Sequence, residues 1–339
     1  MERILVEEIM TQDIKLSNIP CMPVDQIVDE LSEAYCTLIN DGNQVKMMPS
    51  VMLWGAPGVG KSQGVRQIAK EIEARTGKRT LVTDVRLLLF NPIDLRGIPT
   101  SNEDKTLAIW LKPQIFQMDE SDDVVNILFL DEISAAPQSV QAAAYQIALD
   151  RVVGEHRLPD NCIVIAAGNR TTDKSVAYKM PKALANRLLH IEVEVSFDSW
   201  KEWAIGSGVN PIVVGYLDSR RDALMCFEPG YENLAFATPR SWEMVSNILN
   251  RVSEDIDKVF NLIAGLVGIG QAEDLRTWSK GYMDLPRIGD IFDGNVVEIP
   301  ENTDSYIPLI SAITSYACNL PPYFLVNLIK DYMDINETM

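Results

Sequence analysis

Histidine is nearly absent from this 339-residue chain. His156 and His190 are the only two, too few and too far apart to form a metal constellation of their own. Cysteine is also scarce. Cys21, Cys36, Cys162, Cys226 and Cys318 are scattered, odd in number and never joined as C-x-x-C. This argues for a reducing compartment and against a disulfide framework or a cysteine zinc site. No run of eighteen or more apolar residues occurs, so no membrane span is expected. The opening MERILVEEIMTQDIKLSN carries acid where a signal peptide needs base and a long apolar stretch, and a cytoplasmic location is expected. Base is outnumbered: 30 Lys and Arg face 48 Asp and Glu, a net charge of −18. That balance opposes nonspecific attraction to nucleic acid or anionic lipid without excluding a local basic patch.

What remains is an ordinary globular composition, 47% apolar and 23% charged. Residues 1–47 are expected to form an N-terminal helical adapter. Within them VDQIVDELSEAYCTLIND (24–41) spaces Ile27, Val28, Leu31, Ala34, Tyr35 and Leu38 near a helical repeat and ends in Asp-Gly. From residue 51 onward strand-like and helix-like segments alternate. VMLW (51–54), TLVTDV (80–85), VVNILFL (124–130), CIVIAAG (162–168) and HIEVEV (190–195) are apolar enough for strands buried on both faces of a parallel sheet. Between them, SQGVRQIAKEIEARTG sets Val65, Ile68, Ala69 and Ile72 on one face and stops at Gly77. The expected fold is α/β: a three-layer α/β/α domain over 48–196 with a mostly parallel five-stranded sheet. After Phe197 the strand signal fades, which predicts a helical lid over 197–270 and a helical C-terminal extension over 271–339.

GAPGVGKS (55–62) fits the phosphate-loop pattern G-x-x-x-x-G-K-[ST] without a mismatch. Each part has a chemical reason. Gly55, Ala56, Pro57, Gly58, Val59 and Gly60 form the loop, whose glycines let the backbone curl so that successive N–H groups point at phosphate oxygens. The following helix adds its positive end to the same anion. Lys61 reaches the β and γ phosphates, and the Ser62 hydroxyl joins the Mg²⁺ shell. The context agrees, with a buried strand before the loop and an amphipathic helix after it. The cofactors implied are ATP and Mg²⁺. Guanine preference stays open at this point, although no N-K-x-D signature occurs.

ILFLDEIS (127–134) sets an acidic pair at the end of a buried strand, where parallel sheets face their ligand crevice. Asp131 would hold Mg²⁺, directly or through water. Glu132 would orient and deprotonate the attacking water. A lone Asp-Glu could be a polar strand end, but this one follows Lys61 in the same alternating domain. The next buried strand ends CIVIAAGNR, and Asn169 would sit beside the acidic pair and bond water and γ-phosphate. Alone it could be a turn-forming asparagine.

With these elements in order, the chain resembles AAA+ ATPases, and more closely their MoxR branch, over roughly residues 48–255. GAPGVGKS looks like the Walker A loop, ILFLDEIS like Walker B and AAGN like sensor 1. MPKALANRLLHIEV (180–193) occupies the family's arginine-finger segment, which implies Arg187 as a residue acting in trans on a neighbouring subunit; Arg170 is a rival. ATPRSWEMVS (237–246) resembles the sensor 2 start of a lid helix, which implies Arg240 as a contact to nucleotide in cis; alternatively Arg240 pairs with Glu243 at i,i+3. DLRGIPTSNEDKTLAIWLKP (94–113) and DRVVGEHRLPD (150–160) look like the clade's two hairpin insertions, with Trp110 and Leu111 as an apolar tip. The resemblance further implies a homo-oligomeric ring, often hexameric. It implies chaperone-like remodelling or maturation of a separate protein partner, in this family often one with a von Willebrand factor A domain. Two alternatives stand beside it, a nucleic-acid-dependent motor and a slow ATP-binding switch. Trp54 is expected to support its strand rather than stack on adenine, Cys162 to be core, and neither histidine to be catalytic.

Overall fold

The computed structural model describes residues 18–170, 180, 182–227, 233–283 and 313. The chain divides into two compact units, one ending at Val195 and one beginning at Ser196. The expected content of 284–339 lies outside the described residues, Ile313 aside.

Among the described residues, the first unit is built on a sheet of six strands: β1 (Cys21–Met22), β2 (Val51–Trp54), β3 (Arg79–Arg86), β6 (Val124–Asp131), β9 (Cys162–Gly168) and β10 (Leu189–Val193). Their order is β1-β10-β2-β9-β6-β3, and every pairing is parallel. Five strands were expected. The sixth, β1, is two residues long and pairs Cys21 with Glu192 and Met22 with Val193. All residues of β6 and β9 are buried, as strands covered on both faces must be. β3 departs from the expectation. Among the described residues it pairs with β6 alone, at the sheet edge, and buries only Val85, leaving Leu81 37% and Val82 39% exposed.

Helices α1 (Val24–Asn40) and α2 (Lys61–Thr76) pack against each other in this unit. α2 buries Val65, Ile68, Ala69 and Ile72, the face read from the sequence. It ends where Gly77 takes φ 69° and donates its amide to the Glu73 carbonyl at 2.9 Å. Each such isoleucine contributes roughly 1.5–3 kcal/mol by leaving water. α3 (Pro92–Arg96), with Asp94 reaching back to the Asn91 amide at 2.8 Å, leads into the antiparallel hairpin β4 (Ile98–Ser101) and β5 (Ala108–Leu111). α4 (Gln138–Asp150) leads into a second hairpin, β7 (Val152–Val153) and β8 (His156–Arg157). The hairpins touch: a ring nitrogen of His156 bonds the Trp110 carbonyl at 2.8 Å. Any side chain at Gly154 (φ 60°) would begin 2.4 Å from the Arg96 carbonyl oxygen. Trp110 and Leu111 lie on β5 rather than at its tip. The tip is 102–107, where the Asn102 carboxamide accepts the Thr106 and Leu107 amides at 2.9 and 3.1 Å. Leu88, Leu89 and Ile93 just before this insertion and Ile98, Leu107 and Leu111 within it are all exposed. α5 (Lys182–Ala185) precedes β10.

The second unit is helical: α6 (Phe197–Gly206), α7 (Pro211–Ser219), α8 (Pro239–Arg251), α9 (Ile256–Val267) and α10 (Ile269–Met283). α8 opens with a capping box in which Thr238 and Ser241 bond each other's amides at 3.1 and 2.8 Å, with Pro239 in the first turn. Trp242 and Tyr216 are fully buried with ring centroids 5.3 Å apart, and the Trp242 indole donates to the Ala223 carbonyl at 2.9 Å. Among the described residues, no helix is long and apolar enough to cross a membrane.

Candidate active site

β2 is flanked by β9 and β10, while the chain leaves it for the far edge at β3 and works back. Its carboxyl end is therefore a topological switch point, where open α/β sheets bind ligands. The loop 55–60 leaves β2 there. Gly58 and Gly60 take φ of 82° and 105°, which other residues adopt only under strain. The register brings the neighbours level: Trp54 lies opposite Gly168 and Leu130 opposite Ala166.

Four elements consequently converge. The Lys61 ammonium donates to the carbonyls of Gly55 and Ala56 at 2.6 and 2.9 Å and to the Asn169 side-chain oxygen at 3.2 Å. The Ser62 hydroxyl donates to one carboxylate oxygen of Asp131 at 3.0 Å, and the Glu132 amide donates to the other at 2.8 Å. Glu132 itself stands at φ 59°, rare for a residue with a side chain. Its Oε2 is buried with no hydrogen-bond partner among the described residues. An orphaned buried carboxylate oxygen is costly, and such outliers gather where chemistry needs them. A hydroxyl joined to a carboxylate suits a hard cation that keeps most of its waters and draws its other oxygens from phosphate. The residues present therefore fit Mg²⁺ at Ser62 and Asp131.

The two rival arginines differ. The Arg170 guanidinium bonds the buried Glu192 carboxylate at 2.5 Å within its own subunit. Arg187 lies exposed after α5 and pairs with the equally exposed Asp150 at 2.8 Å. Arg240 is exposed in the first turn of α8, and among the described residues it makes no ion pair with Glu243. Trp54 donates its indole N–H to His190 Nδ1 at 2.9 Å, its ring stacked on the imidazole. His190 Nε2 meets the Ala185 carbonyl at 2.8 Å, so the neutral ring with its proton on Nε2 satisfies both partners. Cys162 is core, its thiol pushed up to about 11 by burial.

Several neighbours of the site escape sequence reasoning. A side chain on Gly60 or Gly64 would begin 3.3 or 3.2 Å from a methyl of Val24, so the start of α1 lies against the phosphate loop. Gly64 inside α2 is the signal, since a helix tolerates glycine there at a cost that close packing explains. Asp84 on β3 is also near. Burial first, and then the charge of Asp131, raise its carboxyl above the usual range, against the lowering influence of Arg66 and Arg86. Ser134 and Gln141 are the others.

Residues 50–190 match the model of the ATPase family associated with various cellular activities (AAA). These residues form an AAA-family ATPase domain, and the chain is an ATP-hydrolysing enzyme. A comparison with the curated proteins returns no match. Among solved structures, the chain is similar to NtrX from Brucella abortus at 15% identity, covering 93% of this chain and 67% of that one, with a TM-score of 0.39. It is similar to a point mutant of RuvB from Thermotoga maritima at 15% identity, covering 81% of each, with a TM-score of 0.37. Against PCH-2 from C. elegans the identity is 13%, the coverage 75% and 66%, and the TM-score 0.36.

Proposed function

We propose that the chain is a MoxR-type AAA+ motor whose ATP hydrolysis remodels or matures a separate protein partner. One observation carries the ATP-hydrolysing part of this reading. Lys61, Ser62, Asp131 and Asn169 meet within hydrogen-bond distance at the ends of three adjacent strands, beside the unpartnered oxygen of Glu132.

In this reading the loop 55–60 and Lys61 bind the phosphates of ATP, and Ser62 and Asp131 hold Mg²⁺. When bound with ATP, the ion supplies charge neutralisation at the phosphate oxygens. Glu132 takes the proton of the attacking water, and its free oxygen is the atom that does so. Asn169, turned toward Lys61, orients that water against the γ-phosphate. Arg187 is the residue that completes a neighbour's site in trans, since the buried Glu192 holds Arg170 at home. Arg240 serves from the helical unit in cis. Trans action requires a homo-oligomer, and a hexameric ring is the form proposed.

The partner is proposed to be a protein, for which a von Willebrand factor A domain is one candidate, and the enzyme to act in the cytoplasm. The exposed leucines and isoleucines of 88–111 offer apolar contact, and the net charge of −18 disfavours a nucleic-acid track. Glu132→Gln tests the chemistry. It should bind ATP as the parent does and hydrolyse it about 10²- to 10⁴-fold more slowly. Equal turnover would remove Glu132 as the base. Mixing tests the trans role. Arg187→Ala and Lys61→Ala, each inactive alone, should recover activity together, because a trans arginine contributes on the order of 10³ to 10⁵. No recovery would sink the assignment.

A further inference from the structure

We propose that Ser134 is a positioning residue for hydrolysis, pinning Asn169 against the loop that carries Glu132. The proposal rests on the reading of Glu132 and Asn169 given above.

The starting point is a mechanical problem. The chain leaves β6 through Glu132 at a positive φ, and β9 ends one residue before Asn169. Neither side chain is held by the regular sheet, yet both must face the same water to within a fraction of an ångström. Two bonds join these loose ends. The Ile133 amide donates to the Ala167 carbonyl at 2.9 Å. Next, the Asn169 amide donates to the Ser134 hydroxyl oxygen at 2.8 Å. Ser134 is 2% exposed, so water does not compete for that bond.

Ser134 is itself fixed from behind. Gln141, buried on α4, donates to the carbonyls of Ser134 and Ala136 at 3.1 and 3.0 Å. From the front, Gly168 lets the two segments close. A side chain there would begin 2.9 Å from the Ser134 hydroxyl and 2.8 Å from the Met52 terminal carbon. The polar chain therefore runs from Gln141 through Ser134 and Asn169 to Lys61, joining a helix behind the sheet to the phosphate loop. Alanine at 134 would leave the Asn169 amide without its acceptor and free the asparagine to turn away.

The experiment is a double-mutant cycle on the full chain, measuring kcat, KM for Mg-ATP and melting temperature. Ser134→Ala should lower kcat about tenfold, the rate equivalent of one hydrogen bond, with KM changed less than about twofold. Asn169→Ala should lower kcat as well, and the double variant should be no slower than Asn169→Ala alone, because the serine acts through the asparagine. Ser134→Thr, which keeps the hydroxyl, should restore most of the loss. Should Ser134→Ala not fold, Ser134→Cys, with its weaker acceptor, carries the same comparison. Losses that multiply in the double variant, or a fall in melting temperature with kcat unchanged, would overturn the proposal and leave the reading of Asn169 intact. An Asn169→Ala enzyme with full kcat would overturn that reading and this proposal with it.

Discussion

β6 and β3 run side by side through eight paired residues, from Arg79 opposite Val124 to Arg86 opposite Asp131, yet they are opposite kinds of strand. β6 is buried along its whole length and ends at Asp131, the first of the acidic pair. β3 buries a single residue and opens into an insertion studded with exposed leucine and isoleucine. Position in the sheet accounts for the contrast. A strand with neighbours on both sides and both faces covered has no freedom left, so its end can aim a carboxylate. An edge strand has one ladder and an open flank, which suits a surface that meets something else. In the proposed reading, rigid chemistry sits at the centre and the partner-binding surface at the rim.

The strongest way to break this comparison is to truncate each strand. Phe129→Ala on β6 removes a ring that is 1% exposed and should cost about 3–5 kcal/mol in denaturant unfolding. Leu81→Ala on β3 should cost less than about 1 kcal/mol, because much of that side chain already meets water. Equal costs would mean that the edge is covered by another chain under the conditions of the measurement.

Function should divide along the same line. Leu107→Ser with Leu111→Ser removes apolar surface from the insertion without touching the site. Basal ATPase should stay within about twofold of the parent, since exposed substitutions rarely move stability by more than about 0.5 kcal/mol. Binding of a protein partner, measured by titration calorimetry or stimulated turnover, should weaken. A basal rate that collapses instead would place the insertion in the catalytic assembly, most simply through the neighbouring subunit.

The central site was legible in the sequence and the rim was not, for a physical reason. A phosphate loop is local: eight consecutive residues carry the glycines, the lysine and the serine that the chemistry needs. The strands β6 and β9 are read as easily, since continuous apolar runs mean burial on both faces. TLVTDV reads as a strand too but lies at an edge, and no property of those six residues states how many neighbours they have. β1 is two residues long, below any periodicity. Trp110 was expected at a hairpin tip, but the Asn102 carboxamide builds the turn before the apolar run begins. Ser134 was unreadable because its partner lies 35 positions away and is a backbone amide, which every residue but proline carries.

The smallest effect lies in the alkaline range. Burial pushes the Cys162 thiol up from 9.0 to about 11 and the Tyr145 phenol from 10.0 to about 12, both in the core around β9 and α4. A raised pKa means that the fold favours the protonated form. The corresponding stability is complete below the unfolded values, the lower of which is 9.0, and is lost as pH rises through the folded ones. Melting temperature should therefore hold up to about pH 9 and fall between about 9 and 12. Cys162→Ala should remove the earlier part of that fall, at some cost in packing. The rim should add little, since β3 and the β4–β5 hairpin contain neither cysteine nor tyrosine to bury. If Cys162→Ala leaves the alkaline profile unchanged, water reaches β9 more readily than its burial implies, and the distinction between a closed centre and an open edge weakens at the strand that ends beside Asn169.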